Sequence, residues 1–182
     1  RLHSPDGGEE GEDDGGTALP FRRVPLDEAK PFENCIPAID LKVAAGGFSP
    51  GQVVEPGQYE WVALESGRAP APDLFVAQVI GESMNRRILN GAWCLWRLNP
   101  AGTRQGKVVL AQCRGIEDPE HGGQFTVKIY ESEKEARKDG GWQHHRITLK
   151  PDSRDPSFAP IVLAGSEHED LRIIAELVEV LA

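Results

Sequence analysis

The sequence has no apolar run of about 18 residues, and it opens with neither a charged leader nor a hydrophobic segment, so nothing in it reads as a membrane span or an export signal. Cysteine is sparse. Cys35, Cys94 and Cys113 are odd in number, far apart and form no C-x-x-C pair. That argues against a disulfide framework or a zinc knuckle and fits small core thiols in a reducing compartment. His3, His121, His144, His145 and His168 show no metal-ligand spacing, so no metal and no cofactor is expected. Basic residues are too few and too scattered for an anionic partner: 20 Lys and Arg stand against 29 Asp and Glu, a net charge of -9. Direct binding of nucleic acid or an anionic membrane is not expected of such a chain. The expectation is a soluble, cytoplasmic protein. Its first residue is Arg rather than Met, so the sequence reads as a piece of a longer chain.

A length of 182 residues suits one domain with a real core plus tails. Residues 1–31 contain the stretch Gly7 to Gly16, glycine-rich and acidic, which has almost nothing to bury and reads as a disordered tail or linker. Residues 32–58 hold a short extended segment, Ile36 to Val43, followed by Ala44-Ala45-Gly46-Gly47. Residues 59–182 carry the core.

Strand-like runs recur through that core: Tyr59–Leu64, Leu74–Ile80, Ala92–Arg97, Lys107–Cys113, Gln124–Tyr130, Ile147–Lys150 and Ala159–Leu163. Many short apolar runs with turn signals between them make a mainly β fold of mostly antiparallel strands the expected class. Leu171 to Leu181 is ambiguous, because some of its apolar residues fit a helical period and others fill the gaps. The charged run Glu131 to Gly141 reads as a solvated excursion, and Gly115 to Gly123 as an acidic insertion.

Three stretches carry possible chemistry. Gly81-Glu82-Ser83-Met84 closes the buried run Leu74–Ile80, so Ser83 sits where a rigid strand ends. It reads either as the cap of a short helix over Asn85 to Leu89 or as a held nucleophile. Lys128 lies in a strand whose alternation puts Phe125, Val127 and Ile129 on one face and Thr126, Lys128 and Tyr130 on the other. Ala44 to Gly47 reads as a hinge, or as a narrow strand of small residues able to thread an active site. A Ser-His-Asp elbow is disfavoured, since it needs glycine two places after the serine and Asn85 stands there.

These pieces, in order, resemble the LexA/UmuD-type self-cleaving serine peptidases. The resemblance rests on Val43-Ala44-Ala45-Gly46, Val79 to Met84, Gly106 to Val109, Thr126-Val127-Lys128, Leu149 to Asp152 with Phe158 to Val162, and the closing Ile174 to Leu181. It implies a compact LexA-like peptidase core in which the closing segment is a strand engaged in a two-fold homodimer. It implies Ser83 as nucleophile, Lys128 as general base, the Ala45-Gly46 bond as the cleavage site and the chain's own segment as substrate. The switch would be of the SOS or stress type. A recombinase filament, or an upstream DNA-binding or nucleic-acid-processing domain, would be its partner.

The family pattern is broken at Ala92, where an aspartate is common, and at the acidic insertion before Lys128. Residues 1 to 35 offer no helix-turn-helix, so repressor function does not carry over. The other class of reading is a dimerising regulatory module, or an accessory protein of a polymerase as in UmuD-like members.

The chemistry such a dyad needs is specific. Lysine serves as a base only when uncharged, and its reference pKa is about 10.4, so the reading requires an amine held among apolar groups. The backbone N–H groups of Ser83 and Met84 would be the oxyanion donors.

Overall fold

The structure, a computed structural model, describes residues 18–47, 56–115 and 125–182. The acidic stretch Gly7 to Gly16, residues 116–123 of the insertion and Gln124 lie outside the described residues. Among the described residues, ten strands form a single sheet: β1 (Phe21–Val24), β2 (Ile36–Ala38), β3 (Glu60–Leu64), β4 (Leu74–Val79), β5 (Ala92–Leu98), β6 (Val108–Gln112), β7 (Phe125–Ala136), β8 (Trp142–Lys150), β9 (Ile161–Ala164) and β10 (Arg172–Val180). Their spatial order is β1-β3-β2-β4-β5-β10-β6-β7-β8-β9. All neighbours are antiparallel except β2 and β4, which run parallel. The mainly β, mostly antiparallel class expected from the sequence is the class observed.

Alternate residues of the central strands enter clusters on opposite faces of the sheet. In β4, Phe75, Ala77 and Val79 enter one large cluster, while Leu74 and Val76 enter another on the opposite face. In β7, Phe125, Val127 and Ile129 join the large cluster, and Tyr130 belongs to a third with Val109, Ala111, Ile147 and Leu149. A strand covered on both faces loses the apolar–polar alternation that marks a half-solvated one.

Four local readings change. Phe21–Val24, counted with the tail, is a strand paired with β3, and Phe21 and Val24 are buried. Leu41–Ala45, which takes in the end of the expected extended segment and the start of the small-residue hinge, is a short helix, α1. The reason is local: the Asp40 side chain accepts from the Lys42 N–H at 2.7 Å, an N-cap that starts a helix, and Leu-Lys-Val-Ala-Ala propagates it. The charged excursion is a paired arm, because β7 runs on to Ala136 and β8 starts at Trp142. Most of its exposed residues are polar or charged because water, not a core, faces them, although Trp142 is exposed as well. Residues 85–89 form turns rather than a helix. The ambiguous closing segment is strand β10, which lies between β5 and β6 and has both edges paired.

All three cysteines are free and buried. Burial raises the thiol of Cys94 to about 12; it also raises Cys35 and Cys113, the latter further through Asp170 and Glu167. Since the thiolate is the reactive form, the native chain is expected to resist iodoacetamide at pH 8 and to take up label at all three positions once denatured. Mass spectrometry of the labelled chain checks this, and prompt native labelling of Cys94 would contradict it.

Candidate active site

The serine turn is built from both ends. β4 stops at Val79, and Gly81 takes a φ of 117°, a backbone setting that side-chain-bearing residues rarely adopt. The excursion is closed at its base, where the Gly81 N–H donates to Asn90 Oδ1 at 2.9 Å and the Gly91 N–H to the Val79 carbonyl at 2.7 Å. Within it, Arg87 and Ile88 both donate N–H bonds to the Met84 carbonyl. Met84 and Ile88 are buried in the large cluster and anchor the turn from below.

From the other side it is held by the segment that leaves β8. The Asp152 N–H donates to the Ser83 carbonyl at 2.9 Å, and the Arg86 N–H donates to the Asp152 carbonyl at 3.0 Å. Arg87 Nε meets Asp152 Oδ2 at 2.7 Å, and the Arg154 N–H donates to Asn85 Oδ1 at 2.8 Å. Ser83 therefore sits on a short loop whose backbone is fixed from two directions, which suits a group that must be presented in one geometry.

Lys128 arrives from the middle of β7, opposite Val109 of β6, with Thr126 opposite Ala111. Its Nζ lies 3.0 Å from Ser83 Oγ, 2.8 Å from Thr126 Oγ1 and 3.2 Å from the Val127 carbonyl. Ser83 and Lys128 are each 4% exposed and Thr126 is 0% exposed; among the described residues these are the buried polar or charged side chains. A buried polar group is costly unless it is paired, and here Lys128 pairs with both of the others. The sequence placed Thr126 beside Lys128 by alternation without giving it a role, and it gave none to Asp152, whose part depends on β8 delivering the segment to the turn.

Ala45, the residue before the expected cleavage bond, is the last residue of α1. The helix lies against β4 and β6, and Ala44 and Ala45 are buried in the same cluster as Met84 and Val127. Gly46 and Gly47 are exposed. The Gly46 N–H donates to the Lys42 carbonyl at 3.0 Å and the Gly47 N–H to the Ala44 carbonyl at 3.3 Å, while Gly47 has a φ of 100°. The expected thin strand is thus a helix end, with the amide nitrogen of Gly46 engaged within the turn. Ser83 and Met84, the expected oxyanion donors, are consecutive residues at the start of the serine loop.

Among the described residues, no group of His, Cys, Asp and Glu side chains is placed to hold a metal ion, and no helix is long and apolar enough to cross a membrane. The fold and site together define a mainly β scaffold that holds a lysine between a serine and a threonine, all three buried. No family model matches the chain, and no curated protein matches it.

Proposed function

We propose that the chain is a serine endopeptidase that cuts its own Ala45-Gly46 bond, with Ser83 as nucleophile and Lys128 as general base. The observation that carries this reading is the 3.0 Å contact between two buried side chains of the types that a Ser-Lys dyad requires. The resemblance to LexA/UmuD-type peptidases supports the same pair and supplies the bond.

In the first step the neutral amine of Lys128 takes the proton of Ser83 Oγ as that oxygen attacks the Ala45 carbonyl carbon. The oxyanion so formed would accept from the N–H groups of Ser83 and Met84. Collapse breaks the Ala45–Gly46 C–N bond, and the Lys128 ammonium gives its proton to the departing Gly46 amine. Water then attacks the acyl ester, Lys128 takes the water's proton and returns it to Ser83 Oγ, and the product ends in the Ala45 carboxylate. Thr126 Oγ1, which accepts from Nζ, fixes the direction of the amine throughout.

Peptidases act on extended chain, so the last turn of α1 must unwind before the Ala45 carbonyl can meet Ser83. Cleavage is then the product of an unwinding equilibrium and a chemical step, and its rate rises with pH because only the uncharged amine is a base. Following intact mass with time over a pH series tests the reading: first-order loss of the full chain to fragments 1–45 and 46–182, accelerating with pH, is expected, and equal fragmentation of Ser83→Ala would reject it.

Asp152 is a positioning residue in this scheme. Its backbone bonds to the serine loop survive substitution, and its partly exposed pair with Arg87 contributes at most about 1 kcal/mol. Asp152→Ala is therefore expected to slow cleavage by less than about tenfold and to leave the pH profile unshifted. A loss as large as that of the serine variant would assign Asp152 a different role. Self-association, which the resemblance implies for the closing segment, would have to use the faces of β10 rather than its paired edges.

A further inference from the structure

A cavity of about 400 Å³ lies between the loop before β6 and the outer half of β7, lined among others by Thr103, Arg104, Gln105, Tyr130, Ser132 and Lys134. None of these residues belongs to the Ser83 site. Its lining is rich in donors. Arg104 lines the cavity, and its Nε is shielded from solvent with no hydrogen-bond partner, which costs free energy. Some described cations are paired with carboxylates, Arg87 with Asp152, Arg97 with Asp73, Lys107 with Glu176 and Lys150 with Glu131 among them. Arg104 and Lys134 have no such partner among the described residues, in a chain whose net charge is -9.

The neutral groups have the same bias. The carbonyl oxygen of Gln105 is occupied, accepting from the Ser132 N–H at 2.9 Å and from Ser132 Oγ at 3.4 Å, which leaves the amide NH₂ to donate. Thr103 Oγ1 accepts from the Gln105 N–H at 3.2 Å, which leaves its hydroxyl proton to donate. Among the described residues, no carboxylate lines the cavity. An unpaired guanidinium and ammonium, with amide and hydroxyl donors and satisfied acceptors, form a receptor for an oxyanion, which a guanidinium fork binds in a bidentate manner.

From this we infer that the cavity binds a small molecule through a phosphate or carboxylate group, held by Arg104 and Lys134. The volume is within the range of small-ligand sites and exceeds the anion itself, so the ligand is a small anionic metabolite rather than a bare ion.

Amide shifts of the ¹⁵N-labelled chain, titrated separately with inorganic phosphate, acetate and a glutamate-rich peptide, test this. Saturable shifts confined to residues 102–105 and 130–134 are expected with phosphate or acetate, and which of the two binds assigns the anion. Arg104→Gln should weaken that binding at least about tenfold, and Lys134→Gln, on the exposed arm, should weaken it without risk to the fold. Arg137→Gln, at the arm's tip, should leave it unchanged. No saturable shift with either ion, binding undiminished in both cavity variants, or shifts with the peptide alone would overturn the inference.

Discussion

Ser83→Ala and Lys128→Ala are each expected to lower the rate of self-cleavage by at least about a thousandfold, with the full-length mass persisting while the unaltered chain is consumed. The two losses should not add in the double variant, because nucleophile and base act in one step. Lys128→Arg should be as inactive as Lys128→Ala, since a guanidinium stays protonated and cannot accept the hydroxyl proton. That last variant separates the roles: if charge near Ser83 were what mattered, arginine would rescue. Both side chains lie inside the protein, so each variant must first be shown to unfold at a denaturant midpoint close to the parent's. Undiminished fragmentation of a folded Lys128→Ala would remove the general base from the scheme.

The second large effect concerns stability. Trp96 is fully buried in β5, stacked on Phe75 with ring centroids 6.5 Å apart, and its Nε1 has no hydrogen-bond partner. Truncating a core tryptophan to alanine typically costs about 3–5 kcal/mol, and Trp96→Ala is expected to fall in that range. Trp96→Phe differs in kind. It keeps an aromatic ring beside Phe75 and deletes a buried, unsatisfied donor that itself costs about 1–3 kcal/mol, which offsets much of the lost volume. The phenylalanine variant should therefore lie within about 1 kcal/mol of the parent. Urea unfolding of the three proteins checks this; a phenylalanine variant as unstable as the alanine one would mean that the indole nitrogen is satisfied in solution.

The strands β3, β4, β5 and β6 were legible to within a residue or two because their signal is local: β-branched and aromatic runs closed by glycine or proline. The arm of β7 and β8 was not, since a hairpin flanked by water carries no apolar pattern and only cross-strand pairing reveals it. α1 was missed because one side-chain cap at Asp40 outweighs the extended look of Ile36 to Val43. β10 could not be read from periodicity, because its pairing register shifts between Ile173 and Ala175 and again between Leu177 and Glu179, which breaks the two-residue repeat.

The site was legible in unequal parts. Alternation put Thr126 and Lys128 on one face, and the strand-ending glycine marked Ser83. Nothing local joins residues 45 positions apart; the resemblance paired them, and the sheet brings them to hydrogen-bond distance. The hold of Asp152 on the serine loop was invisible because it arises where two chain segments meet.

The sheet does not close on itself, so two strands offer unused backbone donors and acceptors among the described residues: β1 and β9. β1 carries Arg22 and Arg23, both exposed, and charge on a rim discourages templating by a second chain. β9 has no charged residue in Ile161–Ala164, and its Val162 is exposed. The two rims are thus unequally protected: at high concentration, ribbon-like growth from copy to copy would start beside Val162 and not beside the arginines.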